Sequence, residues 1–108
     1  MSKINIVNLT PHTISLYNND QVEVLKSYGT ARCVEERKNL DFINEIPVVK
    51  LSYGEVYGLP EEKENTIYIV SYIVLRALNN SRNDVFTVTD TVRDNDGRII
   101  GFRALSRL

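Results

Sequence analysis

Tryptophan is absent from this chain, and cysteine, histidine and methionine occur once each. A single cysteine, Cys33, excludes an internal disulfide, and with a single histidine, His12, it falls short of a structural zinc site. Five glycines and three prolines are too few for a flexible linker or a collagen-like repeat. Neither sign of charge is in surplus: 13 Lys and Arg stand against 14 Asp and Glu, for a net charge of −1. A whole-domain electrostatic grip on duplex nucleic acid, which needs a basic surplus, is therefore not expected. Long hydrophobic runs are missing too. The stretch from Ile67 to Leu78 is broken by Ser71 and Arg76, well short of the ~20 residues of a membrane span. The opening MSKINIVNLT lacks a basic segment followed by an apolar core, so no secretion signal is expected and the chain reads as cytoplasmic. There is no glycine-rich phosphate loop, no metal-ligand spacing and no nucleophile–base motif. The expectation is a protein without catalytic residues, metal or cofactor, not an enzyme.

What is present is a soluble-type composition in 108 residues, 43% hydrophobic and 25% charged, enough for one domain spanning 1–108. Ile, Val and Thr total 29 against three Ala. β-Branched side chains favour the pleated surface, which predicts a strand-rich chain. Strands are expected at Ile4–Asn8, Thr13–Tyr17 and Val22–Ser27, joined by turns at Leu9–His12 and Asn18–Asp20 as a meander. Ile14 and Leu16 should point inward. Ala31–Val34 and Pro47–Leu51 also read as strands, and Tyr53–Gly58 as a strand or a loop. Residues 35–64 hold eight acids and four bases, which suggests a solvated, partly mobile segment. Thr66–Val70 is the best candidate for a buried strand. Ser71 can cap a helix over about 72–80 that packs through Ile73, Val74 and Ala77, and Asn79-Asn80 can end it. Asp84–Thr89 and Arg98–Leu105 read as strands, with Asp94-Asn95-Asp96-Gly97 as a hairpin turn before the last. The fold class is α+β, an antiparallel-rich sheet of about seven or eight strands with one main helix.

Several polar groups are candidates for a binding site. The Leu9–His12 turn carries many polar groups for its length, so Asn8, Thr10 and His12 are expected to form one wall. His12 also fits a turn histidine whose ring bonds a backbone carbonyl. Ser71 at the helix start would form a second wall, or simply cap. Residues 76–108 hold six Arg, no Lys and four Asp. Arginine suits bidentate phosphate contacts and stacking on a base. Arg82 and Arg93 are therefore candidate anion contacts, with Arg32 a third, although Arg82, Asp84, Arg93 and Asp94 read equally as internal ion pairs. Tyr53, Tyr57, Tyr68 and Tyr72 are stacking surfaces or half-buried core. Cys33 reads as a small buried hydrophobe. A modest core and a ligand larger than a mononucleotide together favour a homo-oligomer.

Ile6-Val7-Asn8-Leu9-Thr10-Pro11-His12-x-Ile14 resembles the opening of a family of small bacteriophage and prophage proteins whose first strand ends in Asn-Leu-Thr-Pro-His. The resemblance continues through Ala31-Arg32, Gly58-Leu59-Pro60, Thr66-x-Tyr68-Ile69-Val70-Ser71, Arg82-x-Asp84 and Val92-Arg93-Asp94-x-x-Gly97-x-Ile99-x-Gly101. Phe102 stands where a cysteine is expected after that glycine. The resemblance implies a phage protein acting in the infected bacterial cytoplasm. By analogy of context, it points to an anti-defence sponge that sequesters a nucleotide-derived immune signal without chemistry. The alternatives are a module that inhibits a host protein, and an enzyme acting on a nucleotide or ADP-ribose-like substrate.

Overall fold

A computed structural model describes residues 3–108. Its strands are β1 (Asn5–Asn8), β2 (Ile14–Asn18), β3 (Gln21–Leu25), β4 (Arg32–Ile43), β5 (Ile46–Tyr57), β6 (Thr66–Ile69), β7 (Val85–Arg93) and β8 (Ile99–Ser106). A single helix, α1 (Tyr72–Leu78), lies between β6 and β7. The α+β class with antiparallel-rich sheets and one short helix is as the composition implies. No helix among the described residues is long and apolar enough to cross a membrane.

Six strands form one mixed sheet in the order β1-β6-β7-β8-β2-β3. β1, β6 and β7 run parallel to one another, while β7–β8 and β2–β3 are antiparallel hairpins. Parallel strands must be covered on both faces, and β6 obliges: Tyr68 and Ile69 are buried, and Val70 after them is fully enclosed. The core gathers Leu9, Ala31, Tyr68, Val70, Val74, Leu75 and Val85. β2 joins β8 at a single parallel pair, Leu16 with Phe102. The outermost strands of the order then meet: Asn8 bridges Ser27, and the Tyr28 amide donates to the Asn8 carbonyl at 2.9 Å. The sheet therefore curls back on itself almost to closure. A meander of the first three strands does not form, because β1 pairs with β6, some 60 residues on, and only β2–β3 is a hairpin.

Local chemistry sets the helix ends. The Ser71 hydroxyl accepts from the Val74 amide, and Asn79 takes the left-handed conformation at the other end, φ 49°. Val74 and Leu75 are its buried residues. Ile73, expected to pack inward, is 43% exposed and Ala77 only half-buried, because a helix this short turns just one stripe to the sheet.

Residues 35–64 hold the largest departure from expectation: Pro47–Leu51 and Tyr53–Tyr57 are strand as read, but they run on unbroken as β5 and pair with β4 where a partly mobile segment was expected. Most of the segment is a single long hairpin, β4–β5, which forms its own two-stranded sheet. Asn44 and Glu45, both at positive φ, make its two-residue turn. Solvation of the segment is as its charge implies: nearly every residue of β4 and β5 is exposed. The hairpin projects as an arm. The radius of gyration is 16.8 Å, against about 13 Å for a compact chain of this size.

Candidate functional site

The cleft with the most side-chain chemistry lies at the carboxyl ends of the neighbouring parallel strands β1 and β6. The two chains part there, β1 into the Leu9–His12 loop and β6 into α1. Divergence of this kind leaves a crevice beside the sheet. The base of the β4–β5 arm closes the third side. The resulting cleft of about 320 Å³ is lined by Leu9, Thr10, Pro11, Thr30, Ala31, Arg32, Cys33, Glu35, Tyr53, Tyr57, Ser71, Ile73 and Val74.

Of the seven residues expected at a site, three come together here: Thr10, Arg32 and Ser71. Asn8 lies beneath the wall, completely buried. Its side-chain amide donates to the carbonyls of His12 (2.7 Å) and Leu25 (3.0 Å), and its oxygen accepts from the Thr10 amide (3.0 Å) and hydroxyl (2.7 Å). Every polar atom of Asn8 is thus engaged within the protein. The loop is further tied by the Ser27 hydroxyl, which donates to the Thr10 carbonyl at 2.6 Å. The polar density of Asn-Leu-Thr-Pro-His builds a closed hydrogen-bonded knot that anchors β1 to the end of β3. His12 takes part through its backbone, and it is exposed and outside the cleft.

Arg82 and Arg93 stand elsewhere. Arg82 makes a bidentate pair with Asp84, both contacts at 2.8 Å, donates to the Pro60 carbonyl at 2.9 Å and lies 3.6 Å from Glu62. The Arg82 bonds hold the Asp84 carboxyl below its ordinary value of 3.8, against the opposing effect of burial. The same carboxylate raises the Arg82 guanidinium. Arg93 donates to the Gly97 carbonyl at 2.6 Å and so fastens the β7–β8 turn. The ion-pair reading therefore holds for Arg82 with Asp84 but not for Arg93, which is held by a backbone carbonyl, while Asp94 pairs with Arg98 at 3.7 Å.

Tyr53 and Tyr57, two of the four tyrosines offered as stacking surfaces, line the cleft, 39% and 53% exposed. Thr30 and Glu35 line it as well and were not among the expected site residues. Tyr53 sits opposite Glu35, and Tyr57 opposite Arg32, in the arm's register. The signal for Glu35 lay in that pairing, which the reading of its stretch as a partly mobile segment concealed. Tyr68, by contrast, is core, its hydroxyl 3.4 Å from the Glu61 carbonyl. Tyr72 lies under the Arg76 guanidinium, outside this cleft. Among the described residues Arg32 makes no ion pair, and no three His, Cys, Asp or Glu side chains are grouped to hold a metal.

No family model, curated protein or solved structure matches the chain.

Proposed function

We propose that this chain binds and retains a nucleotide-type small molecule in the cleft between Thr10, Arg32, Tyr57 and Ser71, without altering it. The observation that carries the reading is an Arg32 guanidinium without an ion-pair partner among the described residues, beside two part-exposed tyrosine rings in one cleft. A guanidinium offers a phosphate two parallel N–H donors. A tyrosine face takes a base by stacking, worth about 1–3 kcal/mol per base. The Glu35 carboxylate is a natural acceptor for sugar hydroxyls, and Thr10, Thr30 and Ser71 add hydroxyl groups at the walls. A volume of about 320 Å³ is at the lower end of small-molecule sites and suits a nucleotide moiety.

Chemistry on the ligand has less support. Cys33 lines the cleft, but the chain's one histidine lies outside it, so no imidazole stands there to activate the thiol. A binder of this kind acting in an infected cell is a sponge for a nucleotide immune signal, the role that the phage resemblance implies.

Calorimetric titration with ADP-ribose and with a cyclic dinucleotide tests the reading. One of the two probes should bind. Arg32→Ala should weaken it about ten- to hundred-fold, the loss of a charge-assisted hydrogen bond. Arg93→Ala, remote from the cleft, should leave affinity unchanged. Binding of neither probe at about 1 mM, or equal affinity in Arg32→Ala, would overturn it.

A further inference from the structure

A second hollow adjoins the cleft. Its volume is about 340 Å³, beside about 320 Å³ for the first. β5 supplies Leu51, Ser52 and Tyr53 to it, and α1 supplies Tyr72, Ile73 and Arg76. Tyr53 and Ile73 line both hollows and so form the boundary between them. Neither is sunk in the core, at 39% and 43% exposed. The boundary is a ridge at the surface, which a bound molecule can straddle. The second hollow repeats the chemistry of the first. There Arg32 stands with Tyr53 and Tyr57; here Arg76 stands with Tyr53 and Tyr72. The Arg76 guanidinium lies 5.9 Å from the centre of the Tyr72 ring. Like Arg32, it makes no ion pair among the described residues. A cation–π contact draws on the charge of the guanidinium and leaves its N–H donors for a phosphate. Together the hollows carry two arginines against one carboxylate, Glu35, in a chain whose net charge is −1. That carboxylate lies on the first side only.

We propose that the ligand is a dinucleotide, two nucleosides joined through phosphate, with one base in each hollow and Tyr53 between them. The inference rests on the nucleotide reading of the cleft and narrows it. Each hollow alone is at the lower end of small-molecule sites and suits one nucleotide moiety. A mononucleotide would leave Tyr72 and Arg76 without a role. ADP-ribose brings two phosphates but a single base, so one tyrosine pair would stay unstacked. A second base gains a second stack, worth about five- to 150-fold in affinity. Two arginines on either side of the ridge match the two phosphates of such a ligand.

Calorimetric titration with cyclic di-AMP, which has two bases, and with ADP-ribose, which has one, tests the inference. Cyclic di-AMP should bind the more tightly, at one molecule per chain. Tyr72→Ala should weaken it about five- to 150-fold, the loss of one stack. Arg76→Ala should weaken it about three- to tenfold, because this guanidinium is more exposed to solvent and salt than a buried one. Tyr72 and Arg76 are both exposed, so the two variants should melt with the parent, and melting curves check that their folds are intact. ADP-ribose binding more tightly than cyclic di-AMP would overturn the dinucleotide while leaving the nucleotide reading of the cleft in place. Cyclic di-AMP binding that depends on Arg32 but is unchanged in both Tyr72→Ala and Arg76→Ala would do the same, and so would two molecules per chain. Binding of neither probe would overturn both.

Discussion

Asn8 carries four hydrogen bonds from a fully enclosed side chain, and its replacement should be costly. Asn8→Ala strands the carbonyls of His12 and Leu25, and we expect a loss of about 2–4 kcal/mol. Asn8→Asp should do no better, because a carboxylate faces those carbonyls with acceptors in place of donors. Thermal melts of both variants check this. Asp84 supplies a pH dependence. Its carboxyl is held below 3.8 chiefly by the Arg82 hydrogen bonds. A depressed value means that the stabilisation is present above the unfolded carboxylate range and is lost as pH falls through the folded value. Wild type should therefore lose stability between about pH 4 and pH 2 more steeply than Asp84→Asn, as followed by chemical denaturation at each pH. Equal slopes would show that the pair does not brace the fold. Residue chemistry was unevenly legible. The Ser71 cap and the left-handed Asn79 followed from side-chain preference alone. The use of Asn8 did not, because its partner Leu25 is 17 residues away and a polar-rich turn looks the same whether it binds a ligand or itself.

At the level of elements, the antiparallel hairpins were readable wherever the turn was conspicuous. Asp94–Gly97 closes β7–β8 as its residues suggest, with the Asp94 carboxylate accepting from the amides of Asp96 and Arg98. The β4–β5 turn was missed because Asn44-Glu45 lacks the expected glycine, and because both strands are exposed and charged, which hides the alternation on which strand reading depends. Glu45 sits at φ 68°, a conformation that costs a side-chain-bearing residue about 1 kcal/mol. Glu45→Gly should relieve it, giving the favoured Asn-Gly turn. Slower amide exchange at Ile43 and Ile46, with no change in the core amides, is the expected outcome. Faster exchange there would contradict the assigned turn. The β2–β8 junction depends on a missing side chain. A Cβ on Gly101 would lie 2.7 Å from the Ser15 carbonyl oxygen and would also strike the Tyr17 ring, which explains how two strands remote in sequence approach closely enough to pair.

Over the whole molecule, the class was legible and the connectivity was not. Composition implies strands, but nothing local says that β1 runs beside β6 or that β3 returns to bridge Asn8. The first pairing goes with burial of Tyr68, Val70 and Val85 in the assembled core, and the second with the hydrogen bonds of Asn8. The cleft follows from the same topology, since β1 and β6 end side by side and lead their chains apart. Thr10, Arg32 and Ser71 come from three separate stretches of sequence and meet only there. We propose that this cleft holds a nucleotide-type ligand and returns it unchanged. The most direct measurement is to load the 108-residue chain with ADP-ribose or a cyclic dinucleotide, remove unbound ligand, denature by heat and weigh what is released. One of the two should be retained and recovered at the parent mass. A released product of altered mass, or retention of neither nucleotide, would contradict it.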